Sequence, residues 1–373
     1  MRVVICWTGV SGYLAACWRT LANRPDVALK IITFDEFGCA NAPFRKNVNE
    51  GLNCQPIGQD RFADVDYVAQ LVAEFQPDIV VIAGWISPAY GRLPFHPLLK
   101  STKFIMGSDT PRRDTFRQRL ARLKIGRLLD RMDAIVVAGE RAWQLMRYMG
   151  VPESKLRRGV YGIDQTLFDG LHARRVSQSD GWPRRFLFAG RYEQAKAVDL
   201  LAAGYRRYRE AVPDPWPLIC CGRGPMEKYF WGVPGLEDRG FVQPVDQPAV
   251  WESAGVFVLA SRFDPWPLVI VEAAVAGLPI LCSEACGSAV ELVRSHHNGL
   301  TVPTGSATAI ARAMLWFHTH WENLPTMGAR SREMGSAYTT ERWADRWTEM
   351  FRDVLGINDL PKHEKPPQPM ATK

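Results

Sequence analysis

The feature that most constrains this fold is a rhythm of short, continuously apolar segments alternating with helix-like ones, and it occurs twice. In the first half, Val3–Trp7, Val27–Phe34, Ile79–Ala83, Lys103–Met106 and Ala134–Ala138 read as strands. Between them, Tyr13–Ala22 and Val65–Phe75 read as helices. Val68, Leu71, Val72 and Phe75 recur every three or four residues, and Gln76-Pro77-Asp78 ends the segment. Strands that are apolar throughout need cover on both faces, the condition of a parallel sheet between helical layers. After the polar stretch Arg174–Pro183 the rhythm restarts. Arg185–Ala189, Leu218–Cys221, Val256–Ala260 and Pro279–Cys282 are its strands, and Ala197–Val212, Val269–Ala276 and Ala307–Phe317 its helices. The pattern predicts two similar α/β halves that meet within residues 165–185. A last helix, Glu341–Leu355, precedes a Pro- and Lys-rich tail, Pro361–Lys373, with the composition of a disordered segment.

At 373 residues, with 47% hydrophobic and 23% charged side chains, the chain has material for two cores. Disordered, coiled-coil and small disulfide-stapled classes are excluded. No apolar run reaches the ~18 residues of a membrane span, and Met1–Cys6 enters a strand without the pattern of a signal peptide. A cytoplasmic protein is expected. Eight cysteines form no C-x-x-C pair and several lie in strand-like runs, so reduced structural thiols are expected and no metal. His318 and His320 have no third ligand nearby and read as surface residues.

Three stretches carry chemistry. Gly9-Val10-Ser11-Gly12 follows the first strand, where an open parallel sheet binds ligands and glycine admits a phosphate or sugar to the backbone. Its spacing is not that of a dinucleotide fingerprint. Gly190-Arg191-Tyr192-Glu193-Gln194-Ala195-Lys196 follows a strand of the second half, and its two cations, five residues apart, can converge on one anion such as a diphosphate leaving group. Asp264-Pro265-Trp266-Pro267 leads into an apolar helix with Glu272 inside it. A carboxylate in apolar surroundings is costly unless it is paired. The hydroxyls of a ribose and of a transferred sugar would employ Asp264 and Glu272, and the amides of Leu268 and Val269 could hold phosphate oxygens. The alternative for Asp264 is a plain helix cap.

The second half resembles the family 4 retaining glycosyltransferases of the two-domain GT-B fold. The resemblance rests on Phe188-Ala189-Gly190-Arg191 with Lys196, Cys221-Gly222-Arg223-Gly224-Pro225 and Gly240-Phe241-Val242. It continues through Leu259–Asp264, Glu272–Pro279, Gly287–Glu291 and Asn298-Gly299-Leu300. These segments run in order over about residues 185–303, and Asp130–Phe168 extends the likeness more weakly. The resemblance implies two Rossmann-like domains facing across a cleft: residues 1–168 for the acceptor and 169–340 for a nucleotide-sugar donor. A helix over 341–358 would cross back to the first domain, and 359–373 would be a disordered tail. It implies Arg191 and Lys196 on the diphosphate, Glu272 on the ribose and Asp264 on the transferred sugar. Gly190 would shape the strand exit, Gly222, Gly224 and Val242 would border the nucleobase, and Gly9 and Gly12 would face the donor from across the cleft. Asp109, in Met106-Gly107-Ser108-Asp109, falls where many members place a polar residue against the donor sugar. Three positions depart from the family: Asp264 replaces a glutamate, Pro267 a glycine and Ala197 the glycine after the lysine.

The formal net charge of +7 is concentrated. From Arg112 to Arg131 eight basic residues face two acidic ones. On a helical wheel Arg113, Arg117, Lys124, Arg127 and Arg131 share a band beside Phe116, Leu120 and Leu123, with Gly126 a place for a kink. Basic residues beside apolar ones suit an anionic membrane surface. No stacking aromatics or nucleic-acid motif accompany them, so nucleic acid is not expected. The expected activity is a retaining, hexosyl-type transfer from a UDP- or GDP-linked sugar to a glycan or lipid-linked acceptor in cell-surface polysaccharide or lipopolysaccharide synthesis. It would need no metal and take place on the inner face of the cell membrane. The competing expectations are a sugar-nucleotide hydrolase or epimerase of the same fold, and a non-catalytic nucleotide-sugar-binding subunit.

Overall fold

The structure, a computed structural model, describes residues 1–34 and 46–357. The expected tail and Cys39 lie outside these residues. Seven parallel strands form the first sheet: β1 (Arg2–Trp7), β2 (Ala28–Thr33), β3 (Cys54–Pro56), β4 (Ile79–Ala83), β5 (Lys103–Ser108), β6 (Ala134–Val137) and β7 (Leu156–Arg158). Six form the second: β8 (Phe186–Ala189), β9 (Leu218–Cys221), β10 (Leu236–Asp238), β11 (Val256–Leu259), β12 (Ile280–Ser283) and β13 (Gly299–Val302). The sheet orders are 3-2-1-4-5-6-7 and 10-9-8-11-12-13. Each order reverses beside its first strand. β1 pairs with β2 on one side and β4 on the other, and β8 with β9 and β11. Crevices for ligands open at such reversal points, beyond the carboxyl ends of the strands. The loops after β1 and β8 occupy both.

Apart from β13 (Gly299–Val302), which no apolar run marked, the longer strands fall where the sequence places them. Edge strands β3, β7 and β10 are three residues each and are not marked by such runs. Core side chains of the first sheet lie on both of its faces, and Phe168, Leu171 and Trp182 pack with the second domain. Arg174–Pro183 is not a purely solvated linker, since Arg175 is fully buried. Its guanidinium donates to the carbonyls of Ala276 at 2.7 Å, Gly277 at 3.2 Å and Trp251 at 3.4 Å. Two of these lie at the C-terminal end of helix Leu268–Val275, where carbonyls have no helical partner. His318 also departs from its expected surface position: it stacks on Trp216 and is hydrogen-bonded to the Tyr208 hydroxyl.

The last described helix, Thr340–Leu355, places Trp343, Trp347 and Phe351 on one face, four residues apart. That face joins the core formed with Val3, Leu14 and Trp18. The indoles of Trp343 and Trp347 donate to the carbonyls of Val160 and Gly159, each at 2.9 Å. The helix thus leaves the second domain and packs on the first.

The basic segment forms one helix, Phe116–Arg131, which does not end at the buried Gly126. Arg113 precedes the helix, so it is not on the basic band, and its guanidinium lies 4.3 Å from the centre of the Phe263 ring. Arg131 is tied to the carbonyls of Pro94 and Thr102. Arg117, Lys124 and Arg127 remain exposed. Phe116 (73% exposed) and Leu123 (82%) share that face with them.

Candidate active site

Three strand ends of the second domain press together backbone to backbone. Gly190 N–H donates to the Cys221 carbonyl, Gly222 N–H to Gly240 and Tyr192 N–H to Arg223, at 2.8–2.9 Å. A Cβ on Gly222 would meet the Gly190 carbonyl oxygen at 1.9 Å, so only glycine lets these loops touch. Val242 packs at the margin of the second core behind them.

The loop after β8 carries Arg191 and turns through Gln194–Lys196. Ala197, in the place of a family glycine, keeps a left-handed backbone with φ 55°. The loop after β11 is stitched to it: Arg262 makes a two-pronged ion pair with Asp199 at 2.7 Å, and its backbone N–H donates to Ala195. This seam delivers Asp264 to Lys196, whose ammonium donates to the Asp264 carboxylate. Their side chains are 10% and 17% exposed, respectively. Asp264 therefore does not cap the following helix, where Pro267 takes the cap position and Leu268 and Val269 form the first turn. Arg191 is more exposed and pairs with Glu193 at 3.2 Å. Glu272 lies in the same helix, and burial pushes its carboxyl up to about 7.

Across the cleft, helix Gly12–Ala22 starts directly after the β1 loop, and nothing lies within 4 Å of where a Gly12 Cβ would stand. Asp109 leaves the end of β5 and accepts a hydrogen bond from the Tyr161 hydroxyl at 3.1 Å. Tyr161 meets Tyr13 edge to face, with ring centres 5.6 Å apart. Burial holds both phenols above their ordinary pKa. The negative charges of Asp109 and of Glu272, from the other domain, raise Tyr13 further. Sequence reasoning did not single out Tyr13, Tyr161, Arg262 or Asp199. The first two had a signal, since Tyr13 adjoins Gly12 and Tyr161 lies in Tyr161-Gly162-Ile163-Asp164. The ion pair had none.

The domains touch beside the site. Trp266 lies against Gly139, and a Cβ there would stand 2.0 Å from its ring. The Glu291 carboxylate accepts from the Glu140 backbone N–H at 2.6 Å, at the start of helix Glu140–Tyr148. Arg141 donates to the carbonyls of Glu284 and Ala285. Among the described residues no cluster of His, Cys, Asp and Glu could hold a metal ion.

Comparison with known proteins agrees with this architecture. Residues 183–320 match the family described as glycosyl transferases group 1. The D-rhamnosyltransferase WbpZ of Pseudomonas aeruginosa is 26% identical over 268 residues, 65% of this chain and 68% of that protein. A solved glycosyltransferase from Rickettsia africae aligns with a TM-score of 0.74 at 12% identity, over 95% of this chain and 98% of its own. HepE of Anabaena, solved in complex with UDP, gives 0.73 at 14% identity, over 95% and 100%. The fold is that of the two-domain GT-B glycosyltransferases. Its second domain is similar to the glycosyl transferases group 1 over residues 183–320.

Proposed function

We propose that this chain is a retaining, hexosyl-type glycosyltransferase resembling family 4. It moves a sugar from a UDP- or GDP-linked donor to a hydroxyl of a glycan or lipid-linked acceptor, in cell-surface polysaccharide or lipopolysaccharide synthesis. One observation carries this reading: the Lys196–Asp264 pair joins the loops after β8 and β11, where the second sheet order reverses, and Glu272 lies in the helix that follows. Glu272 binds the ribose hydroxyls, and the amides of Leu268 and Val269 with Arg191 and Lys196 bind the diphosphate. Asp109, held by Tyr161, contacts the transferred sugar.

As the sugar–phosphate bond breaks, negative charge grows on the diphosphate, and Arg191 and Lys196 stabilise it. The acceptor hydroxyl attacks from the same face and its proton passes to the departing phosphate oxygen. The two cations supply the stabilisation, so the proposed step calls for no metal. The complex of HepE with UDP supports a nucleoside diphosphate as the leaving group. Arg117, Lys124 and Arg127, set among exposed Phe116, Leu120 and Leu123, support docking on the anionic inner face of the cell membrane. Among the described residues no helix is long and apolar enough to cross a membrane.

The test is transfer from radiolabelled UDP- and GDP-sugars to extracted glycan and lipid-linked acceptors. Arg191→Ala and Lys196→Ala should each lower kcat by about 10²–10³, the usual loss for one group stabilising a transition-state charge. Near-normal kcat in both variants would remove them from the chemistry.

A further inference from the structure

The resemblance assigns Lys196 to the diphosphate and Asp264 to the sugar, but the structure joins these two side chains to each other. The pair is largely shielded from water, with exposures of 17% and 10%, whereas Arg191–Glu193 lies further out, at 52% and 28%. In shielded surroundings the two charges attract strongly, and separating them requires a replacement partner for each. The backbone holds Asp264 in place: its carbonyl accepts from Gly287 N–H at 2.9 Å, and Phe263 and Arg262 both donate to Ala195. Aspartate, one methylene shorter than glutamate, keeps its carboxylate close to that fixed backbone. Lys196, on a long flexible stem, is the mobile member.

We propose that Asp264 is a positioning residue that exchanges Lys196 with the donor diphosphate. This rests on the function proposed above. On donor binding, the ammonium leaves the carboxylate for the phosphate oxygens and Asp264 turns to the hydroxyls of the transferred sugar. Once the sugar has gone to the acceptor, Asp264 has no hydroxyls to bind and recaptures the lysine. The nucleoside diphosphate then loses a cation and departs. The carboxylate therefore weakens affinity for the product and strengthens it only when a sugar is attached.

Isothermal titration with UDP, GDP and inorganic pyrophosphate tests this in four chains: wild type, Asp264→Asn, Lys196→Ala and the double variant. Asp264→Asn should bind nucleoside diphosphate and pyrophosphate about tenfold more tightly than wild type and release product more slowly. Asp264→Glu, which restores the charge, should return affinity to near the wild-type value. In the Lys196→Ala background, the Asn substitution should give no gain. Asp264→Ser, also uncharged, gives the same comparison if Asp264→Asn folds poorly. Unchanged or weaker diphosphate affinity in Asp264→Asn, or a gain that persists without Lys196, would overturn the exchange and leave Asp264 a sugar ligand alone. Failure of the wild type to bind any of the three ligands would overturn the donor site itself, and the exchange with it.

Discussion

At the scale of single residues the site is defined by charges with uneven surroundings. Lys196 and Asp264 satisfy each other, whereas burial alone raises Glu272 from 4.5 to about 7. Between those values the folded chain keeps a proton that the unfolded chain has released. Stability therefore falls as pH rises through that window, and above it the ionised carboxylate is a cost. Glu272→Gln should stabilise the protein by about 3 kcal/mol at pH 8, given ~1.4 kcal/mol per pKa unit, and by much less near pH 5. Thermal melts at the two pH values check this. In the proposed complex the ribose hydroxyls donate to the ionised form. Nucleotide affinity in the wild type should thus fall below about pH 7, and Glu272→Gln should abolish that dependence.

Two helices show what their sequence patterns meant. Helix Phe116–Arg131 buries Gly126, Leu128 and Leu129 and turns large apolar side chains outward among its basic ones. Each Lys or Arg near an anionic surface contributes ~1 kcal/mol. The triple variant Arg117→Glu, Lys124→Glu, Arg127→Glu should stop sedimentation with anionic vesicles, with the melting temperature little changed because all three are exposed. Wild-type sedimentation by this variant would refute docking through this face. Helix Leu268–Val275 depends instead on one distant side chain, Arg175, which satisfies carbonyls at its C-terminal end. Leaving buried acceptors unpaired costs ~1–3 kcal/mol each. Arg175→Met, which retains the apolar stem, should destabilise the protein by about 3 kcal/mol or more in urea melts. A loss under 1 kcal/mol would show that water replaces the guanidinium.

At the scale of the whole molecule, two separately cored domains are held together near the loop that bears Asp264. Trp266 fits only because Gly139 has no side chain. Gly139→Ala should leave both domains folded but wedge them apart, seen as a larger radius of gyration in solution scattering and a fall in transfer activity. Unchanged scattering and activity would show that Trp266 simply moves aside. The two-domain parallel architecture, both reversal-point loops and the motifs of residues 188–300 were legible in the sequence. Buried parallel strands demand unbroken apolar runs, and loops that approach one another by backbone demand glycine at fixed places. The three-residue edge strands were not, because little of their length needs burial. The pairing of Lys196 with Asp264, 68 residues apart, and the link from Tyr161 to Asp109 were also beyond it. So were the departure of Arg113 from the basic band and the burial of Arg175. By itself the sequence determined what each segment must bury. Only the tertiary structure decided which charges meet, because that depends on distances between loops that no local pattern encodes.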